Sequence, residues 1–154
     1  MRAVIQRVGS ARVDVGNKTV GSIGRGFLVL LGVMDGDSET EADVLAAKVA
    51  KLRIFEDENE KMNLSLLDVE GEALVVSQFT LCADVKKGNR PSFTPSAEPS
   101  EANRLYEYFM SRLEAEGVKK PEHGVFGADM QVSLTNDGPV TIILDTDIWK
   151  RKQS

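Results

Sequence analysis

One histidine, one cysteine and one tryptophan in 154 residues leave this chain little of the common equipment of catalysis. The single cysteine, Cys82, cannot close an internal disulfide, so a reducing cytoplasm is the expected location. No apolar run approaches the roughly 18 residues of a membrane span. The opening Met1-Arg2-Ala3-Val4-Ile5-Gln6-Arg7-Val8 alternates like a strand and has no signal-peptide core, and no membrane partner is expected. A metal site is equally poorly supported. Asp35, Asp37, Glu39, Glu41 and Asp43 superficially suggest a calcium loop, but the pattern lacks the glycine at the sixth loop position and the glutamate at the twelfth. Acids beside the positive end of a helix dipole explain the run more simply. No metal and no cofactor are expected. The net charge of -5 also argues against broad, sequence-blind binding to nucleic-acid duplex, which needs many phosphate-neutralising cations.

What is present reads as one globular domain over residues 1–154. With 42% hydrophobic and 28% charged residues, such a chain buries about two thirds of its unfolded surface. Residues 1–15 alternate apolar and polar, Gly16-Asn17 marks a hairpin turn, Val20–Ile23 is a short partner strand, and the continuously apolar Phe27–Val33 is a central strand. Ser38-Glu39-Thr40-Glu41 fits a capping box, opening a helix with the stripe Ala42, Leu45, Ala46, Val49 and Leu52 that ends near Arg53. Glu56–Lys61 is an exposed loop and Ala73–Leu81 a buried strand. Pro99-Ser100-Glu101 starts a second helix with the stripe Leu105, Tyr108, Phe109, Arg112 and Leu113, stopped by Gly117. Two further strands, Phe126–Thr135 and Val140–Thr146, flank a predicted turn at Asn136-Asp137-Gly138-Pro139. The order argues α+β, with a largely antiparallel, barrel-like sheet and two main helices on one face.

Two segments stand out as chemistry. Ser77-Gln78-Phe79-Thr80-Leu81 and Asn136-Asp137-Gly138-Pro139-Val140-Thr141 each place small polar side chains and free backbone donors at the end of an apolar strand, an arrangement suited to a carbonyl or a sugar edge. Gly138-Pro139 makes a poor plain turn, since proline at a strand start removes a ladder donor. Ser77, Thr80 and Cys82 are possible nucleophiles, yet each needs a base within reach or a depressed pKa. The sequence ties His123, in the loop Lys120–Gly124, to none of them, and Cys82 reads as packing. Stabilisation by hydroxyl and backbone N–H donors remains. Lys86, Lys87 and Arg90 follow the first segment closely, and Gly88-Asn89 can turn them back over it. A second basic cluster, Lys150-Arg151-Lys152, reads equally well as solvated tail.

These segments, with the opening Met1–Val8 and Gly88-Asn89-Arg90-Pro91-Ser92-Phe93, resemble the D-aminoacyl-tRNA deacylases across essentially the whole chain. The resemblance implies a hydrolase that cleaves the ester between a D-amino acid, or glycine, and the 3′-terminal adenosine of tRNA. It implies a homodimer with sites at the interface, where the cis Gly138-Pro139 pair of one subunit enters the other's pocket, holds the substrate amino group through its carbonyls and excludes an L side chain. By the same resemblance Arg7 anchors that pair from behind. Ser77 and the Phe79 N–H orient adenosine and ester, Gln78 closes the pocket edge, and Thr80 lies near the scissile bond. The neighbouring ribose 2′-hydroxyl activates the attack, and Lys86, Lys87 and Arg90 contact phosphates of the acceptor end. Three alternatives stay open at this level: a relative with a trans Gly-Pro accepting certain L-aminoacyl-tRNAs, a general esterase using Ser77 or Thr80 as nucleophile, and a non-catalytic domain binding the tRNA end.

Overall fold

A long, bent first strand organises the molecule. The computed structural model describes residues 1–150, so Arg151 and Lys152 of the C-terminal basic cluster lie outside the described residues. Strand β1 (Arg2–Val15) pairs along one edge with β3 (Gly26–Gly32) and then β2 (Lys18–Ile23), and along its other edge with β8 (Gln131–Asp145), all antiparallel. The expected β1–β2 hairpin forms, with Gly16 at φ 61° supplying the left-handed residue.

Beyond β3 the sheet continues through β6 (Glu72–Ser77) to β7 (Glu122–His123), and both of these pairings are parallel. The curled sheet brings β7 back against β2, so closely that a Cβ on Gly21 would lie 2.6 Å from the carbonyl oxygen of His123. This makes the sheet nearly a barrel. Its interior is a small core of Val8, Ala11, Val13, Ile23, Leu28, Leu74 and Val76. The other face of β1, β3 and β6 supplies Ile5, Phe27, Val29, Leu31 and Val75 to a larger core under both helices. Inward-facing positions on β1 change parity between Val8 and Ala11, where the register with β8 shifts, and this lets one strand serve both cores.

Helix α1 (Glu39–Lys51) begins with the expected capping box: Ser38 Oγ accepts from Thr40 N–H, and Glu41 accepts from Ser38 N–H at 2.8 Å. It ends two residues before the expected Arg53. Helix α2 (Pro99–Ala115) has Pro99 in its first turn and stops at Gly117, φ 108°. It buries Ala102, Leu105, Tyr106, Phe109 and Leu113, whereas Tyr108 and Arg112 of the expected stripe remain half-buried at its border. No described helix is long and apolar enough to cross a membrane.

Three expectations need correction. The strand expected over Ala73–Leu81 stops at Ser77, and Phe79–Cys82 is a 3₁₀ turn. That turn packs on Gly32, where a Cβ would come within 2.9 Å of Leu81 Cβ, so the glycine admits it. The strand expected to begin at Phe126 begins only at Gln131, because Phe126–Met130 is turn and irregular chain, whereas Glu56–Lys61 is the expected exposed loop, the tip of a small hairpin between β4 (Phe55–Glu56) and β5 (Met62–Leu64). The largest change is at Asn136–Pro139, which is no turn. The strand runs through it, because among the described residues β8 pairs only with β1, and a missing N–H is tolerated where residues 137–140 bulge past Arg7, between the pairs Gln6–Thr141 and Val8–Asn136.

Candidate functional site

Strand β6 delivers Ser77 to the sheet's end, paired with Leu31 of β3, and the chain then leaves the ladder. Gln78 N–H still donates to Leu31 O at 2.7 Å, after which the 3₁₀ turn begins. The first N–H groups of such a turn have no partner within it. Phe79 and Thr80 occupy those positions, and both residues are exposed. The Gln78 side-chain amide donates to the Thr80 hydroxyl.

Ser77, Gln78 and Phe79 form one wall of a cleft of roughly 500 Å³ whose other walls include Ala97, Phe126 and Met130. Thr80 lies just outside it. Among the described residues, no ionisable side chain lines it. The cleft can therefore hold a flat apolar ring and offer hydroxyl, amide and backbone donors at its rim, while any acid–base chemistry has to come from elsewhere. Cys82 Sγ is fully buried against Val33 O at 3.5 Å, and burial pushes its thiol above the ordinary range. His123 lies in β7 beside Val75 rather than in a loop, its Nδ1 is 2.6 Å from Gly124 O, and it does not line the cleft.

The second motif sits elsewhere on the same chain. Gly138 and Pro139 are exposed, joined by a cis peptide bond, with Gly138 at φ 126°. Behind them Arg7 is 4% exposed, donating through Nε to Asp137 O at 3.0 Å and through Nη1 to Ile54 O at 2.7 Å. Carboxylates of Asp137 and Glu56 lie 3.5 and 3.8 Å from its guanidinium. Neither Gly138 nor Pro139 lines the Ser77 cleft. The pairing explains why: Ser77 is level with Leu31, Ala3 and Leu144, whereas the Gly-Pro bulge is level with Arg7, on a strand that reaches β6 only through β1 and β3. Four residues of β1 separate the two levels, about 13 Å of strand.

The basic loop, in contrast, is adjacent to the cleft. Asp84 and Ser92 pair through two backbone hydrogen bonds of 2.7 and 2.9 Å, closing a loop that carries Lys86, Lys87 and Arg90, all exposed. Gly88 has φ 62°, and the Asp84 carboxylate accepts from Lys86 N–H at 2.9 Å, which fixes the turn. Just beyond the loop, Phe93 meets Phe79 edge-on with ring centroids 5.1 Å apart.

The acids before α1 have structural work. Asp37 pairs with the buried Met1 ammonium at 2.8 Å and accepts from Met34 N–H, while Glu41 caps the helix. The wall formed by Phe126–Met130 escaped sequence reasoning. Expected as the start of a strand, it is irregular chain that leaves the sheet to cover the cleft, a placement that local pattern does not reveal.

Against known proteins, residues 4–145 match the sequence model of the family described as D-Tyr-tRNA(Tyr) deacylase. The chain is 59% identical to a D-aminoacyl-tRNA deacylase of Koribacter versatilis, over 95% of this chain and 97% of that protein. It is 59% identical to one of Ruegeria pomeroyi, over 94% and 99%. Among solved structures, a c-Myc DNA unwinding element binding protein superposes with TM-score 0.89 at 43% identity, covering 94% of this chain and 98% of that one. A probable eukaryotic D-amino acid tRNA deacylase shares the fold at TM-score 0.78 and 20% identity.

Proposed function

The chain belongs to the D-Tyr-tRNA(Tyr) deacylase family and is a hydrolase of D-aminoacyl-tRNA, and we propose that it works in the cytoplasm as a homodimer whose two active sites are each built from both subunits. The terminal adenosine of the tRNA enters the Ser77–Phe79 cleft. Ser77 and the Phe79 N–H orient adenosine and ester, Gln78 closes the rim and Thr80 stands near the scissile bond. The exposed Gly138-Pro139 pair of the partner subunit, stiffened by Arg7, contacts the substrate's amino group through main-chain carbonyls. An L side chain meets that backbone wall. A D side chain points away from it, and glycine has none, so glycyl-tRNA(Ala) is also a substrate.

The cleft offers no general base, so the ribose 2′-hydroxyl next to the ester activates the attack. The protein contributes proximity and preplaced donors. Lys86, Lys87 and Arg90 contact phosphates of the acceptor end. The observation that carries this reading is the separation of the two motifs within one chain: a Gly-Pro bulge held firmly from behind, exposed in front, and absent from its own subunit's cleft. The test is deacylation of D-Tyr-tRNA, L-Tyr-tRNA and Gly-tRNA side by side. Hydrolysis of the first and third with the second spared is expected. Comparable rates on the two tyrosyl esters overturn the proposed wall.

A further inference from the structure

Phe79 and Phe93 are an anomaly on the surface of this domain. Phe79 is 55% exposed and Phe93 36% exposed, and Val85 on the preceding loop is 69% exposed. Most exposed apolar side chains occur singly and call for no explanation, but an edge-on aromatic pair at the mouth of a cleft is a shaped feature. Phe79 is anchored by the 3₁₀ turn after β6, and Phe93 by a chain segment held on both sides. The Asp84–Ser92 hydrogen bonds precede it, and the bond from Ser96 N–H to Phe93 O, 2.9 Å, follows it. Neither ring depends on a mobile tip for its position.

The loop leading to Phe93 is predominantly basic. Lys86, Lys87 and Arg90 project from the loop that ends just before Phe93, and the loop's only acid, Asp84, accepts from Lys86 N–H. Aromatic faces beside a row of cations form the usual platform for single-stranded nucleic acid: bases stack on the rings without regard to sequence while phosphates meet the cations. Local positive charge of this sort also fits a chain whose net charge is negative, because only a short stretch of backbone has to be contacted.

On the reading that the terminal adenosine occupies the cleft beside Phe79, we propose that Phe93, braced by Phe79, stacks on the base of the penultimate nucleotide of the tRNA 3′ end, with Lys86, Lys87 and Arg90 along its phosphates. Such a subsite recognises an unpaired 3′ end and is blind to the sequence of the paired stem. A tRNA substrate is thereby separated from an isolated aminoacyl-nucleoside by more than electrostatics.

Photo-crosslinking tests this directly on the full chain. The probe is an RNA hairpin with a single-stranded 3′ end, carrying either a 5-iodopyrimidine at the penultimate position or 8-azidoadenosine at the last. The first is expected to crosslink to Phe93, and the second to the Phe126–Met130 wall. A terminal probe that misses the cleft defeats the placement of adenosine, and the stacking proposal with it. A terminal probe in the cleft with no penultimate crosslink to Phe93 overturns the stacking proposal alone. Kinetics give an independent readout. Phe93→Leu is expected to lower the ratio of kcat/KM for D-Tyr-tRNA to that for D-tyrosyl-adenosine about tenfold, within the range of one base–aromatic stack, chiefly through KM, and Phe93→Trp to restore it. An unchanged ratio overturns the proposal even if both rates fall together.

Discussion

Arg7 Nε donates to the main-chain oxygen of Asp137 at 3.0 Å, filling the gap that residues 137–140 open in the ladder between β1 and β8. The same side chain holds Ile54 O at 2.7 Å, so one buried guanidinium joins the Gly-Pro bulge to the segment leading into β4. A forked donor is required to reach both carbonyls, and an ammonium cannot reproduce it.

Arg7→Ala should therefore cost on the order of 3 kcal/mol of stability, since two backbone acceptors lose their partner. In a domain of this size that corresponds to a Tm lower by about 6–12 °C. Arg7→Lys should recover part of the stability while leaving the Gly-Pro bulge loose. The D-Tyr-tRNA to L-Tyr-tRNA rate ratio, measured beside the melting curve, should fall in both variants. A full ratio in a destabilised Arg7→Ala protein would confine the residue to a structural role.

Gly138→Ala probes the same bulge from the other side. A Cβ there meets Val140 Cγ2 at 2.9 Å and Arg7 Nη2 at 3.1 Å, and the φ of 126° disfavours any L side chain. Strain of this type costs about 1–3 kcal/mol. The bulge can relieve it only by moving. The variant should stay folded by circular dichroism and lose at least tenfold in D-Tyr-tRNA deacylation, and wild-type rates would show that the position of the bulge is unimportant.

The sequence announced these elements unevenly. Helix starts were legible because Ser38, Glu41 and Pro99 act within a turn of themselves, and the first three strands because alternation and the Gly16-Asn17 turn are local signals. The bulge at Gly138-Pro139 was misread as a turn because its hydrogen-bond partner, Arg7, is some 130 residues away in sequence. The early end of β6 escaped for the same reason: Gly32, on another strand, makes room for the 3₁₀ turn. At the candidate site the polar motifs were readable and the apolar wall was not. Phe126 and Met130 are ordinary residues until the fold sets them opposite Ser77.

Cys82 should be chemically silent in the native protein. Burial raises its thiol above the ordinary 9.0, so the thiolate is scarcer than in an exposed cysteine, and the residue has no exposed surface. A thiol reagent at pH 8 should label it only when denaturant opens the fold. Because the neutral thiol is favoured in the native state, the associated stability is complete below the ordinary thiol pKa and declines as pH rises beyond it towards the raised native value. Rapid native labelling would contradict this burial.

Protein-based catalysis is tested by removing its candidates. Exhaustive chelation, Cys82→Ala and His123→Ala should each leave deacylation within about tenfold of wild type, or 1.4 kcal/mol of barrier. An acyl-enzyme trapped by rapid-quench mass spectrometry would instead identify Ser77 or Thr80 as a nucleophile and displace the 2′-hydroxyl mechanism.

The dimeric site makes the most demanding prediction. A doubly tagged heterodimer with Pro139→Ala in one subunit and a disabled Ser77-Gln78-Phe79 segment in the other has both lesions in one composite site and leaves the second site intact. With both lesions in one chain and a wild-type partner, each composite site has one defective half. The first pairing should keep about half the wild-type activity and its chirality, and the second little of either. These proportions follow from two independent interface sites related by a twofold axis. Sites contained within one chain give the opposite pattern, because the unmutated partner alone would then carry an intact site. Subunit exchange during the assay would blur the contrast, so both mixtures should be compared with the same species after chemical crosslinking. Activity that follows the intrachain pattern there would show that each Gly-Pro bulge serves its own subunit.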